Sequence, residues 1–375
     1  MRVLVLGAGL IGRAMAIDLA GDPALQIVVA DRDVNVLKTL TEIPNIKTQV
    51  VDVTELGVLE SLVRQCDLCI NALPGFMGFD VLREVIDLGK NIVDIAFSPE
   101  DPLTLNERAK EKGVTALVDC GVAPGMSNLL VGYAASLLPS VKNVRIWVGG
   151  LPKERHLPWE YKAVFSPIDV IEEYTRPARL KENGQIVIRE ALSEPELLDF
   201  PGIGTLEAFN TDGLRTLLFT IDAPNMAEKT LRYPGHRDKI LLLKQAGFLD
   251  EHPIQVKGHV LSPLDVTAQV LIKQWELKEG EEDLTVMRVD VQGETQTYRF
   301  EVLDRYDRKS GLHSMARTTG FTATTFARAV LNGMITQKGI LPPEKLGSNH
   351  ELVKYVLDAL KKRGIHYTQK VLKTE

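Results

Sequence analysis

Glycines at positions 7, 9 and 12 stand in the order Gly7-Ala8-Gly9-Leu10-Ile11-Gly12. They follow the apolar run Val3-Leu4-Val5-Leu6 and precede Arg13–Ala20, which is spaced as a helix. Strand, tight turn and helix in that order build a site for a diphosphate. The first glycine permits the turn, the second leaves room for the phosphates, and the third lets the helix lie against the strand. The helix N-terminus adds N–H donors and a positive dipole end, so Gly7, Gly9, Leu10, Ile11 and Gly12 are expected around the diphosphate. A second apolar run, Gln26–Ala30, ends in Asp31, nineteen positions past Gly12. A carboxylate there accepts from the adenosine ribose hydroxyls and repels a 2′-phosphate, so NAD is expected over NADP. The adjoining Arg32 is the residue type that accommodates such a phosphate instead.

Further candidates follow from where such a motif places a ligand. Lys47–Val51, Leu68–Ala72, Asn91–Ile95 and Thr115–Val118 read as strands, with helical spacing between them at Val58–Arg64, Phe79–Leu88 and Leu103–Lys112. This alternation predicts a parallel sheet with helices on both faces, whose ligands bind beyond the carboxyl ends of the strands. Asp52 and Val53 follow the third strand and are expected to touch the adenine. Ala72, Leu73 and Pro74 follow the fourth, in a turn of small residues that lets the backbone approach the cofactor. Asp94 follows the fifth and Asp119 the sixth, the latter opening Asp119-Cys-Gly-Val-Ala-Pro-Gly125 before a new helix. Asp52 also reads as a helix-capping acid and Asp94 as a turn acid.

From Val144 the pattern changes to strand-like segments broken by Pro and Gly. Asn183-Gly184 and Gln292-Gly293 mark hairpin turns. The flanks Leu284–Val291 and Thr295–Leu303 alternate apolar and polar residues, as an antiparallel sheet with one wet face does. Helical spacing returns at Arg237–Ala246, Pro263–Trp275, Met315–Leu331 and Glu351–Lys362. The expected fold class is α/β: a Rossmann-type doubly wound parallel sheet plus an α+β substrate and dimerisation domain with a mixed or antiparallel sheet. The expected domains are 1–125 for the dinucleotide, 126–312 for the substrate, and 313–375 as C-terminal helices returning to the first.

Composition narrows the class. A chain of 375 residues has room for two domains. A net charge of −6 gives no basic excess for nucleic acid or anionic lipid. No apolar run is long enough to span a bilayer, and the first residues read as a core strand rather than a signal peptide. Three cysteines, Cys66, Cys69 and Cys120, suit a reducing cytoplasm better than a disulfide framework. Cys66-x-x-Cys69 has no second pair, so chance spacing is the better reading, and no metal site is expected.

Several fragments together resemble the saccharopine dehydrogenase superfamily, closest to the lysine 6-dehydrogenases, with carboxynorspermidine dehydrogenase as a near relative. They are Gly7-Ala-Gly9, Asp119-Cys-Gly-Val-Ala-Pro-Gly125-Met-Ser-Asn-Leu, Gly149-Gly-Leu-Pro152, Thr230-Leu-Arg232-Tyr-Pro-Gly235-His236 and Thr319-Gly320. The resemblance implies NAD(P)-linked oxidation of a C–N bond by a homodimer. Arg232 would then hold a substrate carboxylate, for which a planar guanidinium is suited. Asp119, Asp94, Glu207 and His236, in that order, are the candidates for acid–base work. Glu207, Asn210 and Thr211 would wall the α-amine. Ala123 stands where saccharopine reductases carry a second acid, and this chain is shorter than those enzymes. Both points favour L-lysine as substrate, oxidised to a semialdehyde that cyclises. The alternatives are a secondary amine, saccharopine or carboxynorspermidine, and a non-catalytic NAD-binding sensor.

Overall fold

A computed structural model describes residues 1–278 and 280–374. The chain divides into two compact units. The first comprises Met1–Ser140, Phe219–Asp222 and Met315–Thr368; the second comprises Val141–Leu218, Ala223–Ser314 and Gln369–Glu375.

The first unit alternates strand and helix: β1 (Arg2–Leu6), α1 (Leu10–Ala20), β2 (Gln26–Asp31), α2 (Val34–Lys38), β3 (Ile46–Val50), α3 (Val58–Arg64), β4 (Leu68–Asn71), α4 (Gly75–Asp87), β5 (Asn91–Asp94), α5 (Asn106–Glu111), β6 (Thr115–Leu117) and α6 (Met126–Leu137). The strands pair in parallel in the order β6-β5-β4-β1-β2-β3. Their short apolar runs are buried along nearly their whole length in β1, β4, β5 and β6, as a parallel sheet covered on both faces requires. The strand order reverses between β1 and β4, and the crevice of such a sheet opens there.

The second unit contains β7 (Asn143–Pro152), α7 (Pro167–Thr175), β8 (Ala178–Glu182), β9 (Gln185–Arg189), β10 (Glu196–Phe200), β11 (Gly204–Asn210), the first half of the short α8 (Leu217–Thr220), whose Phe219 and Thr220 count with the first unit, β12 (Asn225–Arg232), α9 (His236–Gln245), β13 (Ile254–Val256), β14 (His259–Leu261), α10 (Pro263–Trp275), β15 (Asp283–Gln292) and β16 (Gln296–Arg305). Its large sheet runs β10-β11-β12-β7-β15-β16, with β8 and β9 attached beside β12. It is mixed, because β12 and β7 run parallel while their neighbours are antiparallel. One core joins Phe209 of β11 to Tyr174 of α7, Ile240 of α9 and Trp275 of α10. A second, with Trp147, Leu151, Phe200, Leu206 and Leu231, is built from strand residues.

The remaining elements are α11 (Ser314–Leu331), β17 (Gly339–Leu341), α12 (His350–Lys362) and β18 (Tyr367–Lys373). β17 extends the parallel sheet beside β6, and β18 lies next to β16. The boundaries therefore differ from those expected at 125/126 and 312/313. α6 stays with the first unit because it packs backbone to backbone: a Cβ on Gly132 would meet the Glu344 carbonyl oxygen at 2.1 Å. Asp18 of α1 ties in the C-terminal helices. Its carboxylate accepts from Arg328 of α11 at 2.6 Å, Arg363 after α12 at 2.5 Å and Thr324 at 2.5 Å. The last residues, Gln369–Glu375, belong to the second unit rather than the first. Among the described residues no helix is long and apolar enough to cross a membrane.

Candidate active site

The glycine turn has the shape its spacing dictates. Gly7 sits at φ +91°, and a Cβ there would strike the Ala72 carbonyl oxygen at 2.7 Å. A Cβ on Gly12 would meet the Gly7 carbonyl oxygen at 2.0 Å, so only glycine lets α1 approach β1 this closely. Gly9 is the opposite case: its Cβ position has nothing within 4 Å. That open side adjoins Leu10 and Ile11, in the first turn of α1, where N–H groups lack intrahelical acceptors. The residues present fit a dinucleotide diphosphate.

Asp31 closes the same site. Its Oδ2 accepts from Ala8 N at 2.6 Å and its Oδ1 from Asp33 N at 2.8 Å. The carboxylate is thereby held beside the glycine turn, at the end of β2, while Arg32 is exposed. Asp52 accepts from both the backbone N–H and the hydroxyl of Thr54, at 2.9 and 2.7 Å, which holds its pKa below the usual value. It is the acid of a local turn, and Val53 packs toward the core. Ala72 lies against Gly7, Leu73 N donates to Asn71 Oδ1 at 3.3 Å, and Pro74 is the N-cap of α4.

Asp94 and Asp119 stand together at the carboxyl ends of β5 and β6. Both are buried. Asp94 Oδ1 accepts from Ala96 N at 3.0 Å, and its carbonyl accepts from Cys120 N at 3.0 Å. Asp119 is fixed at φ +54° by the turn that follows. That turn closes on itself, with Gly121 N donating to Pro124 O at 3.0 Å and Met126 N to Gly121 O at 2.9 Å. Gly125, at φ +143°, is obligatory because a Cβ would lie 1.9 Å from the Gly121 carbonyl oxygen. Cys66, Cys69 and Cys120 are buried free thiols, and burial pushes Cys66 up to about 11. Among the described residues no group of three or more His, Cys, Asp or Glu is arranged to hold a metal ion.

The second unit buries a polar row on one face of β12. Glu228, Thr230 and Arg232 alternate along the strand and all three are buried. Arg232 is engaged on every side. Nη2 donates to Glu173 Oε2 at 2.8 Å, Nε to the Tyr174 hydroxyl at 3.0 Å and Nη1 to the Leu231 carbonyl at 3.0 Å. Its guanidinium lies 4.5 Å from the centre of the Tyr161 ring. The carboxylate seat expected for substrate is thus filled by Glu173, whose pKa is raised by burial and held back by Arg232.

His236 does not stand as an acid–base group. It is wholly buried. Nδ1 lies 2.9 Å from the Trp159 carbonyl and must donate to it, which leaves Nε2 to accept from the Tyr174 hydroxyl at 3.0 Å. Burial, aided by the Arg232 charge, pushes its pKa down to about 3, so the ring is neutral. Glu207 Oε2 accepts from Gly235 N at 3.1 Å and so pins the turn before α9. Asn210 Nδ2 donates to Ser193 Oγ at 3.1 Å. The Thr211 hydroxyl lies 2.7 Å from Glu228 Oε2 and 2.9 Å from Thr230 Oγ1. Lys162 is paired with Glu281 at 3.0 Å.

Sequence reasoning missed Glu173, Tyr174 and Glu228. The signal for Glu228 was present: polar residues at 228, 230 and 232 recur at the strand period, which aims all three at one face. No helix was read at Pro167–Thr175, so nothing marked Glu173 and Tyr174 as neighbours of Arg232.

Comparison with known proteins assigns the family. Residues 3–117 match the saccharopine dehydrogenase NADP binding domain, and residues 121–365 match the saccharopine dehydrogenase C-terminal domain. Saccharopine dehydrogenase [NADP(+), L-glutamate-forming] of Schizosaccharomyces pombe is 23% identical over 459 aligned positions, covering 100% of this chain and 99% of that one. The mitochondrial alpha-aminoadipic semialdehyde synthase of Mus musculus is 23% identical, covering 99% of this chain and 48% of that protein. Apo saccharopine dehydrogenase (L-Glu forming) from Saccharomyces cerevisiae shares the fold, with a TM-score of 0.78 at 20% identity over 99% of both chains. Two of these three are named saccharopine dehydrogenases and none is named a lysine 6-dehydrogenase, the subgroup that the sequence motifs suggested. The chain belongs to the saccharopine dehydrogenase family, whose members are dehydrogenases of a carbon–nitrogen bond.

Proposed function

We propose that this protein oxidises the C–N bond of a secondary amine of the saccharopine type, with NAD as the hydride acceptor. The observation that carries the reading is the match of both family domains, in order, across residues 3–365. NAD is preferred, although the relatives are named for NADP, because Asp31 places a carboxylate beside the glycine turn. Gly7, Gly9, Gly12 and the first turn of α1 would hold the diphosphate. When bound, the nicotinamide ring supplies the hydride acceptor.

The chain's own residues must then manage a proton. An alkyl amine has a pKa of roughly 10, so at neutral pH it is protonated and has no lone pair to expel a hydride. A carboxylate has to take that proton first. Asp119, with Asp94 beside it, is the group that suits this role, because both are buried at the sheet's carboxyl edge and backbone geometry fixes them. Loss of hydride leaves an iminium on the substrate. Water adds to it, and the C–N bond breaks to an amino acid and an aldehyde.

One observation favours a second reading. The alignment to the S. pombe enzyme needs 459 positions for the 375 residues of this chain, so the relative carries segments that have no counterpart here. A smaller substrate, the side-chain amine of L-lysine, suits the shorter chain. The test is NADH formation from NAD with saccharopine and with lysine, repeated with NADP. Glutamate release from saccharopine supports the first reading, and ammonia release from lysine the second. Tight NAD binding without turnover of either would make the protein a sensor.

A further inference from the structure

One cleft of the second unit is lined almost wholly by charged side chains. Its volume is about 140 Å³. Lys153, Glu154, His156 and Lys162 come to it from the loop between β7 and α7, Glu281 and Glu282 from the residues before β15, and Arg308 from the turn after β16. Gly280 leaves its side of the cleft bare, since its Cβ position has nothing within 4 Å. The charges are unevenly shared. Glu282 is held by two cations, Lys153 Nζ at 2.7 Å and Arg308 Nε at 2.6 Å. Lys162 and Glu281 neutralise each other at 3.0 Å. Both are fixed further, Lys162 Nζ by donating to the Glu276 carbonyl and Glu281 Oε2 by accepting from Lys278 N, each at 2.8 Å. Glu154 lies 3.5 Å from His156.

The balance of charge selects the ligand. Lys153, Lys162 and Arg308 are matched by Glu154, Glu281 and Glu282. A phosphate would meet three carboxylates here, and a divalent cation three cations. A ligand that carries both signs meets neither obstacle. The cleft itself has two poles. Lys153 and Arg308 share one carboxylate, which leaves that end positive, and Glu154 leaves another part negative. Among the described residues Arg308 donates through Nε alone, so its Nη pair remains for a second carboxylate. Size sets the rest. A cavity of roughly 150 Å³ takes benzene, about six non-hydrogen atoms, and alanine has the same number of them. We infer that this cleft binds an α-amino acid head group, with its carboxylate against Lys153 and Arg308 and its ammonium against Glu154. The seat is separate from Arg232, which Glu173 fills. It does not rest on the reaction proposed above, because alanine carries neither a secondary amine nor a side-chain amine.

Calorimetric titration of the full chain with L-alanine tests this, with acetate and methylammonium as ligands that carry one end only. Wild type is expected to bind one alanine per chain, at least tenfold more tightly than either single-ended ligand. The double variant Lys153→Ala, Arg308→Ala and the single variant Glu154→Gln are each expected to weaken alanine at least tenfold, the loss of about one charge-assisted hydrogen bond. Melting temperature and NAD affinity should stay unchanged in both, which separates a lost ligand from a lost fold. Alanine that raises KM for the amine substrate in NADH formation would assign the head group to that substrate, and alanine that binds without competing would assign it to a free amino acid; either result supports the site. No binding of alanine to wild type, undiminished binding in both variants, or acetate binding as tightly as alanine would overturn the inference.

Discussion

Replacing Glu228 by Gln should remove much of the protein's loss of stability between pH 5 and pH 8. Glu228 is 3% exposed on β12, and its Oε2 accepts from the Thr211 hydroxyl at 2.7 Å and Gly213 N at 3.1 Å. Burial raises its pKa from 4.5 to about 8, and the nearby carboxylates of Glu173 and Asp212 push the same way. In the unfolded chain the group ionises near its ordinary value. Between these two values the folded state holds one more proton, so stability falls as pH rises through the window and levels off above it. The window spans about three and a half pH units. At 1.36 kcal/mol per unit, the group's cost at pH 8 and above is about 3–5 kcal/mol. Gln is isosteric with the protonated acid and keeps an acceptor for Thr211 and Gly213. The two proteins should therefore melt alike at pH 5. At pH 8 the variant should melt roughly 10 °C higher, at about 2–4 °C per kcal/mol. Tryptophan fluorescence is the assay, because Trp147, Trp159 and Trp275 all lie in the second unit. Parallel pH–melting curves for wild type and variant would refute the reasoning.

Three further outcomes follow from the geometry. Asp31→Ala should weaken NAD binding about tenfold or more, the value of roughly one charge-assisted hydrogen bond, and narrow the discrimination against NADP; equal NAD affinity by calorimetry would contradict this. Glu173→Gln should loosen the seat on Arg232 and lower KM for a carboxylate substrate, whereas Arg232→Ala should raise it. If neither variant moves KM, Arg232 is a structural ion pair and not an anchor. Asp18→Ala should destabilise the first unit by about 3–5 kcal/mol, because it strands Arg328 and Arg363 at a partly buried site. Circular dichroism melting indistinguishable from wild type would show that the C-terminal helices are held by packing alone.

The dinucleotide half was legible because its signals are local. A glycine triplet between a strand and a helix, and an acid at the end of the next strand, each act through backbone conformation within a few residues, and Gly7, Gly12 and Asp31 stand as that logic requires. Helix Val58–Arg64 and helix Pro263–Trp275 were read to the residue, since the helical spacing of their apolar residues is written in the segment itself. β17 was not legible: three residues more than 200 positions from β6 in sequence carry no pattern that names their partner.

The substrate half shows the same divide more sharply. Residue type alone pointed to Arg232 as a carboxylate anchor and His236 as an acid or base. In the folded chain Glu173 already occupies the first, and Tyr174 and the Trp159 carbonyl consume both nitrogens of the second. What a polar side chain can do depends on who has claimed its hydrogen bonds and how far it lies from water. Those are properties of contacts between distant segments. Residue order was therefore enough to mark the dinucleotide-binding domain, while the partners of Arg232, His236 and Glu228 emerged only once those segments were packed together.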